Sequence, residues 1–145
     1  MRSISLLLCV LFLQACSGLQ GNVLHGVARS AHAPEGFDPA AAEEAVRKHP
    51  QLSAGETRSW NGQELWVVVR DGDARAGFAV ERGELQVSSG WMNRVPEPSA
   101  LEHSLRLQQE LVELLRARFP VLPPADEWKI HWSHLEPPPA AASPD

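Results

Sequence analysis

The chain contains no tyrosine and only two cysteines, Cys9 and Cys16, both within its first sixteen residues. The rest of the sequence therefore offers no disulfide framework, no cysteine nucleophile and no thiolate metal site. It has no G-x-S-x-G elbow for a hydrolase nucleophile, and its glycines sit singly in turns rather than in a phosphate-cradling loop. Glu43 and Glu44 are adjacent on a helical stretch and diverge by about 100°, so they make no catalytic carboxylate pair. The longest apolar run, residues 4–13, is about half of what a membrane-spanning helix needs. Six histidines are present, but their spacing forces no convergence. His131 and His134 lie on a segment that alternates like a strand, where residues three apart point to opposite sides. These absences leave no chemistry for an enzyme, and no metal or cofactor is expected.

What is present begins at the N-terminus. Arg2 supplies a basic start, residues 4–13 an apolar core, and Leu13-Gln14-Ala15-Cys16 a small-residue cleavage site ending in cysteine. This order resembles a bacterial lipoprotein signal with a lipobox. The resemblance covers the signal alone. It implies that residues 1–15 are removed and that Cys16 becomes the first mature residue, carrying lipid (palmitate among its acyl chains). Ser17, where an aspartate would imply inner-membrane retention, points to the outer membrane, with the domain facing the periplasm.

Loss of the signal removes Arg2 and leaves about 12 Lys+Arg against 18 Asp+Glu, a net charge near −6. That balance argues against nucleic acid and against anionic lipid as partners. It fits a domain anchored to a membrane and held beside it. Residues 16–37 show no convincing period and read as a lipidated N-terminus and flexible tether with a mean reach of roughly 25 Å. Residues 136–145, rich in Pro and Ala, read as a disordered tail. Residues 38–135 are enough for a single domain.

That domain opens with a helix. Asp38 is a cap, Pro39 suits the first helical position, and Ala42, Ala45, Val46 and His49 share a face before Pro50. Strands follow over residues 56–60 and 63–70, flanking the hairpin dipeptide Asn61-Gly62. Asp71-Gly72-Asp73 and Arg82-Gly83 mark further turns. Ala76, Phe78 and Val80 alternate inward between them, as do Leu85, Val87 and Trp91 afterwards. Ser88-Ser89-Gly90 reads as a bulge or turn at that strand's end. Ser99-Ala100-Leu101-Glu102 fits a capping box for a long helix whose apolar arc spans Leu101 to Phe119. A last strand sets Trp128, Ile130 and Trp132 inward. The expected fold is α+β and two-layered, with two helices on one face of a largely antiparallel sheet in the order α-β-β-β-β-α-β. Helix followed by meander resembles cystatin-like and other curved-sheet scaffolds, at the level of fold only.

Candidate site residues come from the hydrophobic excess. If the helices cover Leu65, Val67 and Val69, then Trp66 and Val68 look outward, together with Trp60, and form a recognition surface. Trp91, Met92 and Arg94 lie in the loop best placed to enter a partner's cleft. Gln108 falls within the apolar arc of the long helix and His134 is placed on the Trp128 face, so both are candidate cavity-lining groups. The expected function is that of a small, non-catalytic outer-membrane lipoprotein. It would bind another envelope or secreted protein, as an accessory or assembly factor or as an inhibitor or immunity protein. The alternative is a periplasm-facing carrier of a lipid or small apolar ligand, recognisable by a cavity of several hundred Å3 under the long helix.

Overall fold

Helix α1 (Pro39–Arg47) starts where its chemistry says it should. The Asp38 carboxylate accepts a hydrogen bond from the Ala40 N–H at 3.0 Å, and Pro39 loses nothing in a turn whose N–H groups have no helical partner. Ala42 and Val46 are fully buried, and their small side chains let the helix lie close to its neighbour α2 (Pro98–Arg118). The computed structural model describes residues 21, 23–54, 58–60, 63–65 and 67–139.

Among the described residues eight strands accompany the helices: β1 (Leu24–His32), β2 (Ser53–Ala54), β3 (Arg58–Trp60), β4 (Gln63–Leu65), β5 (Val67–Asp71), β6 (Ala74–Glu81), β7 (Glu84–Met92) and β8 (Lys129–Ser133). Six of them form one sheet in the order β2-β5-β6-β7-β1-β8, with every neighbouring pair antiparallel. β3 and β4 pair as a separate hairpin, Trp60 opposite Gln63, across the Asn61-Gly62 dipeptide, which itself lies outside the described residues. Two-residue turns join β5 to β6 and β6 to β7. Arg82 and Gly83 both adopt positive φ, the geometry that matches the natural twist of a tight hairpin.

The alternation of the strands sends Val27, Ala31, Val69, Ala76, Phe78, Leu85 and Val87 to one face. There all of these except Val27 pack in one core with Ala42 and Val46 of α1 and Leu107, Leu111, Val112 and Leu115 of α2. Both helices thus cover one face of an antiparallel sheet, the two-layer α+β arrangement expected from the sequence. After α2 the chain crosses back through a single 3-10 turn (Ala125–Glu127), and Trp128 closes the core with its indole N–H donating to the Pro123 carbonyl at 2.9 Å.

The structure departs from the sequence reading at several points. Residues 24–32, expected in the tether, form β1, which lies between β7 and β8 and adds a strand before the first helix. Its period was hidden because both faces are packed with small residues and because Arg29 occupies a core-side position. Helix α2 does not start at Ser99. Pro98 takes the first helical position after Glu97, and no side chain caps the end. Ser88-Ser89-Gly90 is neither bulge nor turn, because β7 runs through it in unbroken register with β1. Ile130 and Trp132 share the helix-side face with Arg29 and Val27, but on an edge strand, where Ile130 stays exposed.

Candidate functional site

The sheet forks at one end. The ladder between β6 and β7 stops at Gly77 opposite Ser88. Beyond that point β6 continues to Ala74 paired with β5, and β7 continues to Met92 paired with β1. The start of α2 lies over the opening. The result is a cleft of about 500 Å3 lined by Arg75, Trp91, Met92, Arg94, His103 and Ser104, among others. Ser89 stands where the strands part. Its hydroxyl donates to the Arg75 carbonyl at 2.8 Å and accepts from Gln108 Nε2 at 3.0 Å. The same amide nitrogen donates to the Val27 carbonyl at 3.0 Å, so a single side chain of α2 ties β1 and β7 together beneath the fork.

The cleft is polar but has few acid–base partners in place. His103 Nε2 lies 3.1 Å from Asp71 Oδ2, both half-buried. Ser104 is buried and adjacent to His103 on the helix, where side chains diverge by about 100°, so the two do not form a nucleophile and base. Among the described residues no group of three or more His, Cys, Asp or Glu is gathered closely enough to hold a metal ion.

A second concavity lies on the sheet face opposite the helices. Val68, Gly26, Ala28, Gly77, Ala79 and Ser88 floor a groove of about 370 Å3, and Glu81, Gln86 and Arg75 stand at its margins. Small residues make it possible. A Cβ on Gly26 would sit 3.1 Å from the Ser89 carbonyl oxygen, and one on Gly90 would sit 2.8 Å from Leu24 Cδ1.

The proposed recognition residues therefore separate. Val68 is on the groove face, half-buried, opposite fully buried Val69. Trp91, Met92 and Arg94 gather at the fork. The side chain of Trp60 and the whole of Trp66 lie outside the described residues. Gln108 and His134 do not line a common cavity. Gln108 is fully buried in bonds to two strands, while its Oε1 has no partner. His134 is exposed just past β8 at φ 52°, its carbonyl 2.9 Å from His25 Nδ1 and its ring edge-on to His25. The strand ends at Ser133, and the left-handed backbone there breaks the alternation that placed His134 with Trp132.

Sequence reasoning missed Arg75, Ser89 and the helix-side role of Arg29. Ser89 carried a signal, as a hydroxyl two residues past Val87 on an otherwise apolar face. Arg29 is 6% exposed, and its Nε is buried without a hydrogen-bond partner. Burial holds its pKa below the usual arginine range, because the charged form loses water there.

Comparison of the chain with protein-family models, with curated proteins and with solved structures found no match.

Proposed function

We propose that this chain is a lipid-anchored protein of the bacterial envelope, held by Cys16 in the outer membrane and facing the periplasm. Its domain is non-catalytic and binds another envelope or secreted protein, as an accessory or assembly factor or as an inhibitor. The observation that supports a binding module over a carrier is where the space lies. Under α2 the side chains of Leu107, Leu111, Val112 and Leu115 are at most 1% exposed, so the layer that an apolar ligand would enter is filled. The open space lies in the cleft at the fork and in the groove around Val68. The cleft is polar where the first turns of α2 cover it and so ill-suited to an apolar ligand. The groove is on the sheet face that carries no helix among the described residues. A partner's side chain or extended segment enters that groove, and the lipid raises its local concentration at the membrane.

The test is affinity capture of the full-length lipidated protein from crosslinked native envelopes, run beside Val68→Glu. One stoichiometric protein that is captured by the parent chain and lost with Val68→Glu supports the reading. Clean capture without any protein, or a partner indifferent to Val68, overturns it and returns attention to lipids and small ligands.

A further inference from the structure

We infer that the forked end of the sheet is a seat on the phospholipid bilayer, an inference that rests on the lipid-anchor reading of Cys16. The chain emerges from the described domain at this end. The Val23 N–H donates to Asn93 Oδ1 at 2.8 Å, and the Asn93 N–H donates to the Val23 carbonyl at 2.7 Å, so the start of β1 is fastened to the loop after β7. Cys16 stands seven residues before Val23. Whatever their conformation, those residues span at most ~25 Å. The 21 residues of α2, running from the fork to the far end of the domain, measure about 30 Å. A leash shorter than the body it holds turns the end it is tied to toward the membrane.

That end is also where exposed apolar side chains collect. Val23 is 39% exposed, Met92 40% and Val95 67%, with Trp91 half-buried beside them. A periplasmic surface with no use for them gains nothing by showing three large apolar groups around one loop; a bilayer interface accepts all three. Exposed Arg94, on the same loop, has an apolar stem that lies along the interface while its guanidinium reaches lipid phosphate. Arg75 and Arg94 are outnumbered at this end by Asp71, Asp73 and Glu97, so the patch has no excess of positive charge. Seating therefore depends on apolar contact rather than on charge, consistent with an acidic chain lying against a membrane at one end only.

The experiment uses full-length, lipidated protein in phosphatidylethanolamine–phosphatidylglycerol vesicles carrying a quencher on the lipid, with the mass of the Cys16 modification measured on the same sample. A fluorophore is placed at Ser99→Cys, in the first turn of α2, or at Val121→Cys, which is 83% exposed and lies beyond the far end of α2. Quenching at position 99 should exceed that at 121 severalfold and should persist in high salt, because the contact is not ionic. Adding Met92→Glu with Val95→Glu, both at exposed positions that leave the core intact, should lower it by about threefold or more. Equal quenching at the two positions, or quenching indifferent to the two glutamates, overturns the seat while lipidated Cys16 stands. A Cys16 without lipid mass overturns both.

Discussion

The Gln108 side-chain amide hydrogen-bonds both the Ser89 hydroxyl and the Val27 carbonyl, each at 3.0 Å, from a fully buried position on α2. Those two contacts join the long helix to the strands on which the fork depends. Ser89 passes the link on to β6 through the Arg75 carbonyl.

Gln108→Ala should therefore be among the more damaging substitutions in the protein. It opens a cavity and leaves a buried carbonyl and hydroxyl short of a donor, an expected loss of about 2–4 kcal/mol. Chemical denaturation reads it directly. A loss below about 0.5 kcal/mol would mean that the amide is dispensable.

Arg29→Met should act in the opposite direction. Met keeps the length and apolar stem while removing a guanidinium whose Nε has no partner and whose charge is disfavoured by burial. An increase in stability of about 1–3 kcal/mol is expected, seen as a higher Tm. A lower Tm would show that the guanidinium is held by something worth more than its desolvation.

Gly26→Ala and Gly90→Ala should differ despite facing each other across β1 and β7. At Gly26 the new methyl meets a paired backbone carbonyl, which cannot yield without disturbing the ladder. At Gly90 it meets the free end of Leu24, which can rotate away. The first should cost about 1–3 kcal/mol and the second clearly less, so a reversed ranking in melting experiments would contradict the packing of the groove floor.

Lys48→Ala tests a surface effect. The hydrogen bond and charge of Lys48 hold the Glu44 carboxyl below its usual range, so the pair's contribution exists at neutral pH and is lost as pH falls through the folded pKa. The substitution should raise the Glu44 pKa in a proton-detected titration and leave Tm almost unchanged, since exposed pairs contribute little. A large drop in Tm would show that α1 depends on this pair.

Cys16→Ala should abolish metabolic incorporation of labelled fatty acid and release the protein from the membrane fraction. Label that persists in the variant would remove the anchor, and with it the geometry of the bilayer seat.

The sequence was most legible where a single face is buried by large side chains. Phe78, Leu85, Val87 and the Leu107–Leu115 stretch of α2 announced both layers, because alternation and helical periodicity are visible when inward and outward residues differ sharply. β1 was not legible for the opposite reason. Gly26, Ala28 and Ser30 on its groove face and Arg29 on its core face erase the contrast on which alternation depends. The same blindness hid the fork. Whether two strands keep their ladder is decided by what lies between them, and nothing local to Ala76 or Ser89 records it. Trp91, Met92 and Arg94 were legible as a cluster by adjacency alone; that they lie beside Val23 follows only from the pairing of β1 with β7.

That pairing also sets the order in which the molecule can assemble. Ser133, the last residue of the last strand, pairs with Gly26 near the start of the first, and β7 fills the other side of β1. A chain that emerges N-terminus first, as every chain does during synthesis, presents β1 long before either neighbour has emerged. The central sheet must then wait for nearly the whole polypeptide, since contacts so distant in sequence form late and slowly. Under the lipid-anchor proposal, signal cleavage and acylation at Cys16 would act on a chain whose central sheet is still incomplete.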